Sequence, residues 1–304
     1  MIRDLLIKLC SRVAEAYGNN EYPLAAAMGR KPGGIPTIDR GMQVLLRAQW
    51  QARAREGAPL PPFHEVEFRA YSQNGEDGIL LFLFALLGTT NKRVVEMCCG
   101  TGVDCNAANL IINHGFTGAL FDGREDLLAM GRRFYSKCRD TYQWPPRLTK
   151  AWITPENVND LISDAGVSGE IDLFSLDMDG VDYWVWKNLS VINPRVVVLE
   201  YQDILGPDRC VTAPNDPKFV GVRGKHGTDY GGASLAAFVK LGRAKGYRLV
   251  GCEHFGYNAF FLRNDVGADL FPEIPTGACF SHPKNDFGMK ERFPAVKDRE
   301  WVEV

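Results

Sequence analysis

The chain has 304 residues, 45% of them hydrophobic and 24% charged. That is room for one large α/β domain with an appendage, and the composition excludes a disordered or fibrous protein. Basic residues number 35 and acidic 37, for a net charge of -2, so bulk electrostatics give no basis for nucleic-acid binding. No secretory signal opens the chain, because residues 1–18 are interrupted by Lys8, Arg12 and Glu15. No apolar run reaches the roughly 18 residues of a membrane span. Cys10, Cys98, Cys99, Cys105, Cys138, Cys210, Cys252 and Cys279 are scattered without a C-x-x-C pair, which argues against a zinc site. Free thiols without a signal point to the cytoplasm.

Residues 2–17 place Ile2, Leu5, Leu6, Leu9 and Val13 on one helical face. A glycine- and proline-rich loop follows at 30–36, then a second helix at 42–55 and a linker, GAPLPP, at 57–62. Residues 1–60 thus read as a helical appendage that covers a cleft or builds a homodimer, with the main domain at 61–304. Ser72 caps a helix whose early turn carries Glu76 and Asp77 and whose body is the apolar run 79–87. The tetrad Ser72-Gln73-Asn74-Gly75 is more polar than a plain connection needs, which leaves two readings. It is a well-capped helix start, or Gln73 helps to hold a ligand.

The centre of the chain runs from Arg93 to Gly123. A short apolar strand, 94–97, breaks into the turn Gly100-Thr101-Gly102, a helix at 103–113 follows, and a second strand, 119–121, ends at Asp122-Gly123. Strand, glycine loop, helix and strand make half of a parallel nucleotide-binding sheet. Gly100 and Gly102 let the backbone approach a ligand without a Cβ in the way. The helix N-terminus offers N–H groups to a carboxylate or phosphate. Asp122 can accept hydrogen bonds from both ribose hydroxyls, and the 19 residues between it and Gly102 are close to the spacing of about 20 expected for such an acid. A dinucleotide fold wants a third glycine where Cys105 stands, whereas Glu96 four residues before Gly100 gives E-x-x-x-G-x-G. The ligand read from this stretch is S-adenosyl-L-methionine (SAM), with a nicotinamide dinucleotide as the alternative.

Beyond Asp122 the pattern predicts a helix at 124–138, a loop around Trp144-Pro145-Pro146, and a third strand at 148–153. Thr154 and Pro155 read as the cap and first position of the next helix. Strands follow at 171–177 and 196–200, then a helix at 233–245. The last two strands, 247–251 and 258–263, have no helix between them and should pair antiparallel. The tail from 271 has irregular composition and should wrap the domain. Seven strands alternating mostly with helices predict a Rossmann-like α/β fold: a mostly parallel sheet, an antiparallel last strand, helices on both faces and the helical appendage.

Ligands of such sheets bind beyond the carboxyl ends of the strands. The polar residues there are Glu96, Asp122, the stretch 152–154, the stretch 177–182 and the stretch 200–203, with His226, Tyr230 and His254 on nearby loops. Asp177, Asp179 and Asp182 within six residues exceed what a turn needs, although Asp179-Gly180 also reads as a plain turn and cap. One such acid can act as base toward an acceptor hydroxyl, and Asp177 with Asp179 can hold Mg²⁺ through oxygen ligands. His226 and His254 are the alternative bases.

The segments YSQNGEDGIL, VVEMCCGTGVDCNAANLIINHGFTGALFDG, AWITPENVNDLI, LFSLDMDGVDYWVWKNL, VVVLEYQDILGPDRCVTAPNDPKF, GGASLAAFVKLGRAKGYRLVG and NAFFLR resemble a bacterial group of FkbM-like SAM-dependent methyltransferases, in order from about Phe68 to Arg263. The resemblance implies a class I methyltransferase that O-methylates a sugar, glycan or natural-product acceptor. It implies SAM contacts at Glu96, Gly100, Gly102 and Asp122, and an acidic motif at Asp177 and Asp179. Gly123, Trp152 and Ile153 complete the cofactor positions. The Cys98-Cys99 pair and His254-Phe255 depart from the commoner pattern. N-methylation, cyclisation of SAM itself, and a non-catalytic scaffold on the same fold are the competing readings.

Overall fold

The computed structural model describes residues 39–304. The amphipathic stretch 2–17 and the loop 30–36 lie outside the described residues. Helix α1 spans Arg40–Arg55, and Asp39 caps it by accepting from Met42 N at 3.0 Å. After a short α2, Phe63–Val66, come α3 (Glu76–Leu87), β1 (Arg93–Met97), α4 (Ala108–His114), β2 (Thr117–Asp122), α5 (Glu125–Tyr135) and β3 (Arg147–Lys150). The second half continues with α6 (Val158–Asp164), β4 (Gly169–Leu176), α7 (Asp182–Asn188) and β5 (Ile192–Glu200). Then follow a two-residue strand β6 (Val211–Thr212), a hairpin of β7 (Val222–Gly224) and β8 (Gly227–Tyr230), and α8 (Leu235–Ala244). Strands β9 (Tyr247–Cys252) and β10 (Asn258–Arg263) close the sheet, and the tail carries α9 (Pro283–Phe287) and β11 (Val302–Glu303).

The seven strands lie in the order β3-β2-β1-β4-β5-β10-β9. Neighbours from β3 to β5 pair parallel, and β10 runs antiparallel to both β5 and β9. This is the Rossmann-like sheet with an antiparallel last strand that the sequence predicts. The order reverses between β1 and β4, the position where open α/β sheets leave a crevice beyond their carboxyl ends. Alternation along each strand feeds two cores. Val95, Met97, Phe121, Phe174, Leu176, Val197, Leu199 and Phe261 face α7 and α8 on one side. Val94, Leu120, Leu173, Val196, Val198, Phe260 and Leu262 face α3 and α4 on the other. Period-two alternation into two covered layers is why these strands read as near-continuous apolar runs.

The described part of the appendage is fastened to the domain. Trp50 of α1 packs edge-on against Phe82 of α3 at 5.1 Å. Gln43 exchanges two hydrogen bonds with Asn109 of α4, at 3.1 and 2.9 Å, and its Oε1 lies 2.6 Å from His114 Nε2. Burial pushes His114 down to about 4, with Arg47, Arg40 and Lys92 adding to the effect. No helix among the described residues is long and apolar enough to cross a membrane.

Candidate active site

The turn after β1 is held from two sides. Cys98, Gly100 and Gly102 take φ of 58°, 58° and 71°, in the left-handed region. Cys99 N donates to Phe121 O at 2.9 Å, Gly102 N to Cys99 O at 2.8 Å, and Gly100 N to Asp122 Oδ2 at 2.8 Å. Asp122 accepts Arg124 N with its other oxygen, at 2.8 Å. The two glycines do different work. A Cβ on Gly102 would stand 3.1 Å from Leu120 and 3.2 Å from Leu148, so that glycine serves close packing. A Cβ on Gly100 would meet no atom within 4 Å, so that glycine faces open space at the strand ends.

Glu96 holds the end of the loop, ten and eleven residues further on. Its carboxylate accepts Asn106 N at 2.9 Å, Ala107 N at 2.8 Å and the Ser175 hydroxyl at 3.2 Å. Burial raises its pKa, against the pull of those N–H groups. Two consequences correct the sequence reading. The helix starts at Ala108 rather than 103, and the N–H groups of Asn106 and Ala107 just before it go to Glu96, while Ala108 N donates to Cys105 O at 3.3 Å. Glu96 also lines the cavity described below, but as a residue that sets the loop.

Gly123 and Trp152 extend the surface beside Asp122. The Trp152 indole is 60% exposed, donates to Pro217 O at 2.9 Å, and would lie 3.8 Å from a Cβ on Gly123. Ile153 beside it is buried in the core. Gly100, Gly123 and Trp152 thus line an open shelf at the ends of β1, β2 and β3, beside Asp122, which is 9% exposed. Asp122 has two acceptor directions beyond those taken by Gly100 and Arg124, which suits a ribose diol.

A separate cavity of about 470 Å³ opens at the ends of β1, β4 and β5. Cys98 belongs to its wall and is two residues from Gly100, so shelf and cavity adjoin through the glycine turn. Burial and the nearby Asp182, Asp122, Asp177 and Asp179 hold the Cys98 thiol protonated. Asp177 follows β4 and Glu200 ends the paired strand β5, with Leu176 opposite Leu199, and their carboxyl groups hydrogen-bond to each other in the cavity. Burial pushes Asp177 up to about 6, with Asp179, Glu96 and Glu76 adding to the rise, and burial together with Asp177 holds Glu200 well above the usual carboxylate range. Two carboxyls in contact cannot both ionise cheaply, so the pair keeps one proton at neutral pH.

The other acids of the stretch have other duties. Asp182, 1% exposed, accepts Met178 N at 2.8 Å and Gly180 N at 2.9 Å and so ties the turn that leads into α7. Burial pushes it up to about 7. Asp179 has φ of 55°, an uncommon conformation for a non-glycine residue, and its carboxylate lies 4.0 Å from Arg223. Glu76, fully buried, accepts Asn74 N at 2.9 Å and Asn258 Nδ2 at 2.8 Å.

The β7–β8 hairpin forms the rim. Cβ atoms on Gly221 and Gly231 would stand 2.2 and 2.5 Å from the Asp179 carbonyl oxygen, so both must be glycine for the hairpin to seat there. The tail holds the hairpin from outside. Arg292 donates to Asp229 at 2.7 Å and to Thr228 O at 3.1 Å, and lies 3.6 Å from Asp203. Lys284 donates to Asp203 at 2.8 Å and sits 3.5 Å above the Tyr257 ring. His226 reaches the cavity wall, with its ring 5.3 Å from that of Phe287. His254 does not reach it: the exposed ring packs on Phe255 and His282, at 5.0 and 4.7 Å. Tyr230 is also turned away, donating to Glu300 O at 2.8 Å.

Of the predicted site residues, the structure brings Gln73, Glu96, Asp177, Asp179 and His226 to the cavity. It places Gly100, Asp122, Gly123 and Trp152 at the shelf. The residues present do not fit Mg²⁺: among the described residues no three His, Cys, Asp or Glu side chains converge on one point. Asp177 is bonded to a carboxyl and Asp179 leans toward Arg223, which corrects the expected metal pair. The sequence reading collected Glu200 without a role, and missed Asn258, Arg223 and Arg292 at the cavity. Arg292 lies 63 residues from Asp229, its partner on β8, so only folding reveals it.

No family model matches the sequence, and no curated protein matches it. The fold is similar to the N-terminal domain of EvdMO1 with SAH bound, at 14% identity and a TM-score of 0.41 over 74% of this chain and 96% of that one. It is similar to the O-methyltransferase from Bacillus cereus in complex with SAH, at 13% identity and a TM-score of 0.40 over 76% and 92%. Magnesium protoporphyrin IX methyltransferase (ChlM) from Synechocystis PCC 6803 with bound SAM aligns at 13% identity and a TM-score of 0.38, over 75% of this chain and 97% of that one.

Proposed function

We propose that the chain is a SAM-dependent methyltransferase acting on a hydroxyl of a sugar, glycan or natural-product metabolite. The observation that carries the reading is the junction at Cys98 and Gly100. An open shelf with a ribose-type acid, Asp122, meets there a polar cavity with a proton-accepting carboxyl pair. Asp122 is suited to the ribose hydroxyls, and the Cβ-free face of Gly100 to the close approach of the amino-acid portion. Trp152 with Gly123 offers a flat face beside the adenine position.

When bound, SAM supplies an electrophilic methyl group on a sulfonium. Methyl transfer asks the protein mainly to align acceptor and methyl at near-attack distance. The cavity walls hold the acceptor against the glycine turn and exclude water. A hydroxyl is a poor nucleophile until its proton leaves, and a singly protonated Asp177–Glu200 pair has the capacity to take it. Asp182 and Glu96 keep the turns on either side in place through their backbone hydrogen bonds.

Isothermal titration of the protein with S-adenosylhomocysteine (SAH) tests the cofactor assignment. Saturable binding with one site per chain is expected. A chain that binds NADH and not SAH would be a dinucleotide protein instead.

A further inference from the structure

The cavity has a chemical bias beyond its position. Acids dominate its wall: Glu76, Glu96, Asp177, Asp179, Asp182 and Glu200. The two arginines at the wall are both drawn to acids. Arg292 is bonded to Asp229 and lies beside Asp203, and Arg223, 81% exposed, leans on Asp179. Asn258 adds an independent sign. It belongs to the cavity wall, is 7% exposed, and ties its Nδ2 back to Glu76, while its Oδ1 takes no hydrogen bond from the protein. A buried acceptor without a donor calls for one from a bound molecule.

Resting on the methyltransferase reading above, we propose that the acceptor is a polyhydroxylated molecule without negative charge, neutral or ammonium-bearing, and that the Asp177–Glu200 carboxyl pair takes the proton of its reacting hydroxyl. Hydroxyl and ammonium groups are donors, and this wall is made of acceptors. A phosphate or carboxylate would stand against like charges, with only the exposed rim residue Arg223, itself 4.0 Å from Asp179, as a free-standing cation. In the step, the acceptor oxygen forms a bond to the methyl carbon as the carbon–sulfur bond breaks. The sulfonium becomes a neutral thioether, and the hydroxyl proton passes to the carboxyl pair, which then holds two protons. The fully protonated pair returns one proton to solvent after the product leaves.

The test uses the full chain, SAM with a trideuterated methyl group, and four acceptors: methyl α-D-glucopyranoside, D-glucosamine, D-glucose 6-phosphate and D-glucuronic acid. Products are read by mass. Label on one or both of the first two, and on neither anion, is the expected result. Asp177→Asn should slow that transfer by roughly 10²–10⁴-fold, the usual worth of a general base. Label on the phosphate or the uronate, or on none of the four, overturns the proposal. SAH binding is measured alongside: its loss would defeat the methyltransferase reading itself, whereas intact SAH binding with label only on anions, or none, defeats the acceptor class alone.

Glu200→Gln separates chemistry from scaffolding. The groups facing the pair are Glu96 from β1, Glu76 from α3, and Asp179 and Asp182 around the start of α7, with Arg223, His226 and Arg292 at the wall. These stay unchanged in the variant, while the carboxyl O–H that donates to Asp177 gives way to a weaker amide donor. The acid limb of the pH profile, set near 6 in the native pair, should therefore move to higher pH. An acid limb that does not move in a folded, SAH-binding variant overturns the role of the pair.

Discussion

Gly100 donates its backbone N–H to Asp122 Oδ2 at 2.8 Å, so the glycine turn after β1 and the acid that ends β2 form one unit. Asp122 also fixes the start of α5 through Arg124 N. Asp122→Ala should weaken SAH binding by roughly 1.5–3 kcal/mol, the range for a hydrogen bond to a charged group. The fold should survive, because the residue stands at a strand end at the cleft. Calorimetry gives the affinity and circular dichroism the fold. Native affinity in a folded variant would mean that another acid holds the ribose.

The shelf should discriminate between nucleotide ligands. Position 105 is a buried cysteine rather than the glycine of a dinucleotide loop. SAH at one hundred times its Kd should stabilise the protein by about 2.7 kcal/mol through mass action, visible as a rise in Tm. NADH at the same concentration should leave Tm unchanged. The reverse pattern would overturn the cofactor assignment.

The seat of the β7–β8 hairpin should be sensitive to a single methyl group. In Gly231→Ala the new Cβ would lie 2.5 Å from the Asp179 carbonyl oxygen, and backbone on both sides must shift. The cost should be about 1–3 kcal/mol, typical of overpacking. SAH binding at the shelf should persist, because the hairpin does not contribute to it. Gly277→Ala is the control, since a Cβ there would meet nothing within 4 Å. Equal Tm in the two variants would show that the hairpin floats free of Asp179.

The end of the sheet opposite the site carries its own ion pair. Asp172 is fully buried and accepts Thr90 N, Asn91 N and Lys92 N at 3.0, 3.0 and 2.6 Å, and Arg195 Nη1 at 2.9 Å. Burial pushes its pKa up, but Arg195 and the three N–H groups outweigh burial and leave it below the ordinary value. A depressed folded pKa contributes stability above the unfolded value and loses it as pH falls through the folded one. Asp172→Ala should therefore cost roughly 3–5 kcal/mol at pH 7, because Arg195 is left buried without its partner. Urea unfolding should show the gap between variant and native protein narrowing as pH drops below the usual carboxylate range. A gap independent of pH would mean that the carboxylate charge is not what stabilises this end.

Most of the sheet was legible because its inner strands, β1, β2, β5 and β10, carry apolar runs of the length that a doubly covered strand requires. Ala119, Leu120 and Phe121 are all fully buried, and alternation between the two cores leaves no polar position to interrupt the run. The shelf was legible for a local reason, since its glycines and Asp122 lie within one β–α–β unit. The cavity was not. Glu200 meets Asp177 only because β5 pairs with β4, and Asn258 arrives on an antiparallel strand opposite Glu200. The hairpin was hidden because the stretch from Gly221 to Gly232 has few apolar residues and many glycines, which read as loop. The early helix boundary failed because Glu96, ten residues upstream, takes the N–H groups of Asn106 and Ala107.

Arg292 is placed late in the chain, yet it holds the hairpin that rims the cavity. All seven sheet strands are complete by Arg263. During synthesis the shelf can therefore form, and the sheet can close, while the rim still lacks its outer clamp from Arg292. If the proposed function holds, cofactor recognition and acceptor enclosure become separable in time as well as in space. On the proposed reading, a ribosome-stalled or clipped chain ending before Lys284 would keep the shelf beside a cavity whose rim lacks Arg292.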